Sequence, residues 1–380
     1  MRVVQLITQD RGGPVDHAVE VAAELAARGH DSHLVGPPGA HAERAARLGV
    51  QVHVVHVRTR HDVRGAARVA RTVAALRPDV VHCQDRRAGV AGRMLGAAAQ
   101  TGTVYTLHGV PDPLAPLVPG NLRIAAPSAR SRMDNLLAER WLARAPRSLV
   151  VTPCEAVARY ARDHVGIRAD RVRAVHNGVA PRWLLPLDAP NEAAGHAPQE
   201  DAPSPPRPLR VVWVGVMQPV KRVPDLVRAV APLDDVELVL VGDGPQRTRV
   251  AALADSLAPD RVHLVGFHDD PAPLLRTADV FVLSSAAEAC PMALLQAMAC
   301  GLPVIASRVG GVAEIVRDGV DGLLFAAGDV DGLRAELVRL ADDPALRDRL
   351  GASARNRVAE RFTLGGCVDR LLEAYAEVAR

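Results

Sequence analysis

Short apolar segments alternate with amphipathic segments through the first half of the chain. The amphipathic segments have the spacing of helices, as at 63–76, 88–100 and 154–165. Short apolar runs separated by such helices are typical of parallel sheets that are covered on both faces. The predicted strands of this half are 3–7, 33–36, 51–57, 79–83, 103–108 and 149–153, with a further short segment at 172–179. The pattern predicts a doubly wound α/β domain.

The second half repeats this pattern after a change in composition. Residues 181–208 are rich in proline and poor in apolar residues, which predicts an interdomain linker with disorder around 191–207. A chain of 380 residues is too long for one ordinary core. The second set of predicted strands is 209–215, 236–242, 262–267, 279–285 and 304–306, with a helix at 246–257. We therefore predict one domain at 1–180, a second at 209–364, and a last helix at 365–380.

Composition narrows the functional classes. Aromatic residues make up 3% of the chain and the net charge is +3, so recognition of nucleic acid by base stacking is not indicated. The five cysteines include no Cys-x-x-Cys pair, which favours a reduced, cytoplasmic protein without a zinc site. Met1 leads directly into a strand, so we expect no signal peptide, and no apolar run is long enough to span a bilayer.

One basic residue differs from all the others. Lys221 is the single lysine in a chain whose other cations are arginines. It follows the strand 209–215 through a short loop, at the edge of a sheet where ligands bind. An ammonium group is a compact point charge, which a planar guanidinium replaces poorly. We therefore expect Lys221 to have a specific charge partner, such as a phosphate.

The segment 285–307, SAAEACPMALLQAMACGLPVIAS, holds the strongest local signal. Pro291 is expected at the first helical position, and Gly301 is expected to end the helix. The N-terminus of a helix offers unpaired N–H groups to an anion. Glu288 precedes this helix end and Gln296 lies in the helix, so both are placed to hold the polar parts of a ligand.

This segment resembles the glutamate, seven residues, glutamate signature of retaining glycosyltransferases of family 4, with Gln296 in place of the second glutamate. TLHG at 106–109 and the turn within 172–179 resemble further family motifs, as does VGDGPQ at 241–246. The resemblance implies the GT-B fold, in which two Rossmann-like α/β/α domains face a cleft and the last helix braces the first domain. It also implies a metal-independent enzyme without a cofactor, whose donor is a nucleoside diphosphate sugar, most often UDP-linked.

The resemblance assigns roles to residues of this chain. Glu288 would hold sugar hydroxyls, Lys221 would neutralise the leaving diphosphate, and His108 would orient the donor sugar. Gln296 would contact the ribose. The other donor contacts would come from the glycine-rich loops, from a backbone contact to the base and from the backbone before the central helix: Gly13, Gly215, Val216, Phe267, Ala289, Cys290, Pro291, Met292, Ala293 and Leu294.

Two departures from the family pattern affect the donor site. Val216 occupies the position where the family usually has an arginine, so another arginine or the backbone must complete the diphosphate site. Gln296 keeps a hydrogen-bond acceptor for the ribose but lacks the charge. The acidic triplet 329–331 is interpreted as a helix cap rather than a metal site. His82, at the end of another strand, is assigned to packing or to acceptor contact.

Several alternatives remain open from the sequence. The basic segment 112–147 would lie on an anionic membrane surface or form a solvated helix that buries Trp141, and we prefer the second. Arg58, Arg60 and Arg64 would suit an anionic acceptor or form a solvated face. The acceptor would be a small molecule of natural-product or thiol metabolism, or a glycan of the cell envelope. A nucleotide-sugar hydrolase or epimerase, and a non-catalytic binding paralogue, are the alternative functions.

Overall fold

A computed structural model of the chain describes residues 1–57, 62–126, 129–185 and 207–379, and for 129–135 the backbone alone. The first half forms a parallel seven-stranded sheet in the order β3-β2-β1-β4-β5-β6-β7. Its strands are β1 (Arg2–Leu6), β2 (Asp31–Gly36), β3 (Gln51–Val54), β4 (Val80–Cys83), β5 (Gly102–Thr106), β6 (Ser148–Thr152) and β7 (Val172–Ala174). Its helices are α1 (Gly13–Ala27), α2 (Ala40–Arg47), α3 (Val63–Leu76), α4 (Arg86–Ala99), α5 (Ala129–Leu142) and α6 (Glu155–Tyr160).

The second half forms a parallel six-stranded sheet in the order β10-β9-β8-β11-β12-β13. Its strands are β8 (Leu209–Val214), β9 (Val236–Val241), β10 (Val262–Gly266), β11 (Val280–Leu283), β12 (Val304–Ser307) and β13 (Leu323–Phe325). Its helices are α7 (Val223–Val230), α8 (Arg247–Leu257), α9 (Ala272–Arg276), α10 (Met292–Ala299), α11 (Val312–Ile315), α12 (Val330–Asp342), α13 (Pro344–Arg361) and α14 (Leu364–Val378).

Both sheets are buried on their two faces, which explains why their strands are continuous runs of valine and leucine. Val4 in β1 and Val211 in β8 are fully buried. In each sheet the strand order reverses beside the first strand, at β1 and at β8. Reversal of strand order opens a crevice at the carboxyl ends of the strands, where open α/β sheets bind ligands. The predicted GT-B architecture, with two Rossmann-like domains, is confirmed.

The last helix returns to the first sheet. Backbone hydrogen bonds join Val179 N to Phe362 O at 2.9 Å and Leu364 N to Val179 O at 2.8 Å, where the chain crosses over. Helix α14 then packs against α1, β5 and β6. Tyr375 of this helix is fully buried. The C-terminal segment is therefore part of the first domain's core.

The two halves also contact each other through partly buried polar groups. Glu314 of α11 accepts hydrogen bonds from Glu155 N at 2.9 Å and Ala156 N at 2.8 Å, at the N-terminus of α6. His176 Nε2 lies 3.0 Å from a Glu314 carboxylate oxygen. A carboxylate at a helix N-terminus satisfies N–H groups that the helix itself leaves unpaired. Glu314 therefore fastens the second domain to the first.

Two expectations about local structure were wrong. Pro291 is the N-cap of α10, with an extended ψ of 119°, and the helix begins one residue later. Trp141 is 66% exposed rather than buried. None of the helices that the structure describes has the length and the apolar character needed to cross a bilayer. The disorder predicted around 191–207 lies outside the described residues, apart from residue 207 itself.

Candidate functional site

A cavity of about 1200 Å³ lies between the carboxyl ends of the two sheets. The first domain contributes residues from the turns that follow its strands, including Gly13 and His108. The second domain contributes Val216, Lys221 and Glu288. The cavity thus collects the three residues to which the sequence assigns the chemistry, together with Gly13, Val216 and Ala289 from the donor set.

Lys221 and Glu288 form an ion pair at the edge of this cavity. Lys221 Nζ lies 2.5 Å from Glu288 Oε1, and Ser285 Oγ donates to the same oxygen at 2.6 Å. The side chains of Lys221 and Glu288 are 24% and 10% exposed. In the described part of the chain both contacts use Oε1, which leaves Oε2 for a ligand hydroxyl. The ammonium has three N–H donors, so it can contact an anion and the carboxylate together.

Hydrogen bonds to the backbone hold Lys221 in place. The residue ends the short 3₁₀ turn Pro219–Lys221, which is followed by the left-handed Arg222 at φ 49°. Ser284 Oγ donates to Lys221 O at 2.9 Å, and Ala286 N donates to Val220 O at 2.7 Å. The loop after β8 and the loop after β11 are therefore tied together, which brings the ammonium to the carboxylate.

A glycine pair after β12 supports the Glu288 loop, and the sequence reasoning missed it. A Cβ at Gly310 would lie 1.9 Å from Glu288 O, and one at Gly311 would lie 2.0 Å from Ala289 O. Gly310 also has a φ of 44°. No side chain fits this approach, so the Gly-Gly sequence is what allows the loop to pack here. The two adjacent glycines in the loop after the predicted strand 304–306 were the available signal.

Gly242 of the VGDGPQ segment packs against the loop that contains Gly215 and Val216. Gly242 has a φ of 135°, and a Cβ at this position would lie 1.9 Å from Gly215 O. Met217 N donates to Asp243 O at 2.8 Å. The VGDGPQ segment is thus a turn that backs the loop after β8, which leaves Val216 to line the cavity.

His108 faces the cavity from the first domain. Its Nε2 lies 2.7 Å from Gln84 Oε1, and its ring contacts the His17 ring edge-to-face at a centroid distance of 5.2 Å. Burial lowers the pKa of His108 well below the usual histidine value, and positive charge on His17 or His82 would lower it further. His108 is therefore neutral at physiological pH and acts as a hydrogen-bonding group.

His82 does not reach the cavity. Its side chain is fully buried, with Nδ1 2.7 Å from Tyr375 Oη and Nε2 2.6 Å from Thr106 Oγ1. Both ring nitrogens are occupied by protein groups. The structure therefore agrees with a packing role for His82, and the alternative of acceptor contact was wrong.

The remaining donor residues of the sequence prediction lie around or beyond the cavity. Gly215 lies in the loop between β8 and Val216. Gln296 is half-buried on α10, and Phe267 is 63% exposed after β10; neither lines the cavity. The other residues of the central segment have buried side chains, or in one case a half-buried one, and they can reach a ligand only through the backbone: Cys290, Pro291, Met292, Ala293 and Leu294.

The acidic triplet at 329–331 serves the local helix. Asp329 Oδ1 accepts from Gly332 N at 2.9 Å, as a helix cap does. Asp331 pairs with Arg334 at 2.7 Å. Among the residues that the structure describes, no group of three or more histidine, cysteine, aspartate or glutamate side chains is arranged to hold a metal ion.

The first-domain wall of the cavity carries acidic side chains, Asp10 and Asp112, as well as basic ones. Arg11 and Arg87 line it together with His56. Arg11 is exposed and lies 3.5 Å from the Asp10 carboxylate, and Arg87 Nη1 donates to Val57 O at 3.4 Å. Of the basic cluster considered from the sequence, Arg58 and Arg60 lie outside the described residues.

Two family models match the chain, one in each half. The sequence model described as "Glycosyltransferase Family 4" matches residues 11–183, and the model described as "Glycosyl transferases group 1" matches residues 208–343. The first match covers the first sheet from β2 to β7, and the second covers all six strands of the second sheet. The chain belongs to glycosyltransferase family 4.

The alignments with individual relatives cover different shares of this chain. The chain is 36% identical to N-acetyl-alpha-D-glucosaminyl L-malate synthase of Bacillus anthracis, over 45% of this chain and 46% of that protein. It is 29% identical to a D-inositol 3-phosphate glycosyltransferase of Thermomonospora curvata, over 97% of this chain and 91% of that one. The alignments with the most similar curated relatives span about half the length of those relatives.

Solved structures of similar proteins share the whole fold with this chain. The crystal structure of the Anabaena HepE protein in complex with UDP-glucose superposes with a TM-score of 0.81, covering 99% of both chains at 22% identity. A sucrose-phosphate synthase from Thermosynechococcus elongatus also reaches a TM-score of 0.81 at 22% identity, over 100% of this chain and 99% of that one. At this identity the likeness establishes the GT-B fold.

Proposed function

We propose that this family 4 protein transfers a sugar from a UDP-sugar to a small acceptor, with retention of anomeric configuration. The observation that carries the proposal is the Lys221–Glu288 ion pair, which lies in the same cavity as His108. A cation for a diphosphate and a carboxylate for sugar hydroxyls are thereby placed side by side. UDP-glucose is bound by HepE, whose fold this chain shares.

Each residue has a distinct part in the proposed reaction. Lys221 neutralises the charge that develops on the leaving diphosphate, and such preorganised charge is a large contribution to catalysis. Glu288 accepts a hydrogen bond from a sugar hydroxyl through Oε2. The bond from the anomeric carbon to the diphosphate oxygen breaks, and the acceptor oxygen bonds to that carbon on the same face. The acceptor's hydroxyl proton passes to the departing diphosphate, so the step is balanced without a protein base.

The nucleoside is expected to lie beyond the diphosphate, along the second domain. We assign the ribose to Gln296 and the base to the backbone around Phe267. The exposure of Phe267 leaves its strand end accessible to a base. Backbone N–H groups of Ala289, Cys290 and Met292 to Leu294, before and at the start of α10, would hold the sugar and phosphate, whereas Pro291 has no N–H to donate.

We further propose that the acceptor carries an acidic group. Arg11, which is exposed on the first-domain side of the cavity, is the cation that we assign to this group. Two relatives are named for anionic substrates, L-malate and D-inositol 3-phosphate. No metal is assigned to the reaction, because Lys221 supplies the positive charge at the diphosphate. We place the enzyme in the cytoplasm, which the five unpaired cysteines favour.

Product analysis tests the proposal directly. The protein is incubated with UDP-N-acetylglucosamine or UDP-glucose, alone and with L-malate or inositol phosphate, and free UDP and the glycosylated product are measured with and without EDTA. UDP release that requires an acceptor supports transfer. Release without an acceptor would make the protein a hydrolase, and binding without release would make it a non-catalytic module. NMR of the product anomer distinguishes retention from inversion.

A further inference from the structure

A line of buried hydrogen bonds runs from the cavity to the C-terminal helix. His108 Nε2 lies 2.7 Å from Gln84 Oε1, and Gln84 Nε2 donates to Gln5 Oε1 at 2.7 Å. Gln5 Nε2 then donates to Tyr375 Oη at 3.3 Å. Gln5, Gln84 and Tyr375 are fully buried. A buried polar side chain is retained only when its hydrogen bonds are satisfied, so this line is a constrained structure.

The donor and acceptor pattern determines where the His108 proton lies. Gln84 uses its amide NH₂ toward Gln5, so it presents its carbonyl oxygen to His108. A carbonyl accepts, and the ring nitrogen opposite must therefore be an N–H. At the other end, Tyr375 accepts from Gln5 and donates to His82 Nδ1, and His82 Nε2–H donates to Thr106 Oγ1. Every link then has one donor and one acceptor.

We propose that Gln84 is a positioning residue, which holds His108 as the neutral tautomer with its proton on Nε2 and keeps Nδ1 as an acceptor for a hydroxyl of the donor sugar. In the described part of the chain, Nδ1 of His108 has no hydrogen-bond partner. Tyr375 supports this arrangement through Gln5. The role of the sugar hydroxyl rests on the proposed function, whereas the tautomer does not.

The surroundings of His108 keep the ring neutral. The titratable groups that face it are His17 from α1 and His82 from β4, and both are buried. A positive charge on either one would disfavour protonation of His108. The partner at Nε2 is a neutral amide. A carboxylate in place of that amide would instead favour the imidazolium, in which both ring nitrogens are donors and the acceptor at Nδ1 is lost.

The first test needs no turnover. Long-range ¹H–¹⁵N correlation spectra of the imidazole side chains report which nitrogen is protonated, in the wild type and in Gln84→Met. We expect the Nε2–H tautomer for His108 in the wild type and a mixture of tautomers in the variant. The Nδ1–H tautomer in the wild type would overturn the proposal while leaving UDP binding, and with it the proposed donor site, untouched.

The second test is the pH dependence of turnover. Gln84→Glu should lose activity at low pH and regain it as the pH rises, because the carboxylate raises the pKa of His108. Gln84→Met should lower kcat/KM for the donor about tenfold, without the additional loss of activity at low pH. Tyr375→Phe should lower kcat/KM less. Ser32→Ala is the control, since it removes a buried hydrogen bond to Ala22 O elsewhere in the same domain.

A purely structural role for Gln84 predicts different results. In that case Gln84→Glu and Ser32→Ala would both be less stable than the wild type. The pH dependence of turnover, measured on the folded protein, would then match the wild type for each variant. That outcome would overturn the proposal. If Gln84→Glu does not fold, the spectra of Tyr375→Phe are used instead. An unchanged His108 tautomer with unchanged donor kinetics in Tyr375→Phe would contradict the support that we assign to Tyr375. The wild-type spectrum still tests the role of Gln84.

Discussion

Lys221 Nζ and Glu288 Oε1 lie 2.5 Å apart, although the two residues are separated by 67 positions in the chain. Two loops at the edge of the second sheet bring them together. Each partner limits where the other can point, so a ligand meets a fixed pair of opposite charges. The pair positions the cation for a diphosphate and one carboxylate oxygen for a sugar.

Loss of the Glu288 charge should disable transfer. Glu288→Gln keeps the size of the side chain but removes the partner of Lys221 and weakens the contact with the sugar. We expect kcat/KM for the donor to fall about 100-fold or more, as for other preorganised electrostatic contacts. Initial rates of UDP release measure this. The control is Glu336→Gln, whose ion pair with Arg339 lies on α12 outside the cavity. Equal activity of Glu288→Gln and the wild type would contradict the assignment.

An arginine at position 216 should strengthen diphosphate binding. Val216 lines the cavity together with Lys221 and contributes no charge. A guanidinium binds phosphate through two parallel N–H bonds, so Val216→Arg should lower the Kd for UDP about tenfold. Titration calorimetry measures the change. Val216→Gln lengthens the side chain without charge and should bind UDP like the wild type. Weaker binding by Val216→Arg would show that the diphosphate lies elsewhere.

The contact between Glu314 and the first domain should make stability depend on pH. Burial opposes ionisation of Glu314, but hydrogen bonds from His176 and from two backbone N–H groups outweigh it and lower the pKa of this carboxyl. Its stabilisation is therefore present at neutral pH and lost as the pH falls through the lowered pKa. We expect Glu314→Gln to reduce the free energy of unfolding by about 2 kcal/mol at pH 7.

Urea denaturation at neutral and acid pH tests this expectation. The difference between Glu314→Gln and the wild type should shrink in acid, where the wild-type carboxyl is also neutral. Glu360→Gln changes an exposed glutamate of α13 and should have little effect at either pH. A difference that stays constant with pH would mean that the ionised form of Glu314 contributes no stability.

His17 should destabilise the protein in moderate acid. Burial lowers its pKa from 6.5 to about 4. Between these values the unfolded chain binds a proton that the folded protein excludes, so the free energy of unfolding falls as the pH drops from 6.5 toward 4. The full effect is on the order of 3 kcal/mol. Urea denaturation across this range should show a shallower dependence for His17→Asn. The same slope in both proteins would place the proton uptake elsewhere.

The sequence predicted the fold and much of the cavity because both depend on local patterns. Alternating strands and helices define two parallel sheets, and strand ends carry His108 and Lys221 to the cleft. The direct contact of Lys221 with Glu288 was not predicted, because it depends on how two distant loops approach each other. The support from Gly310 and Gly311 was missed for the same reason.

Exposure of a helix face was also beyond sequence reasoning. Trp141 of α5 was expected to be buried, yet this side chain and that of Leu137 on the same helix are both more than half exposed. An apolar stripe shows which side chains share a face, not whether another element covers it. The preference for a solvated helix that buries Trp141 was therefore wrong.

Titration calorimetry with UDP, GDP, ADP and TDP, on the wild type and on Lys221→Ala without metal, tests the central claim most directly. We predict that UDP binds and that the substitution weakens its binding at least tenfold, while Arg228→Ala, which alters an ion pair with Asp225 outside the cavity, does not. Absence of binding by all four nucleotides, or equal affinity in Lys221→Ala, would contradict a nucleoside diphosphate site at the Lys221–Glu288 pair.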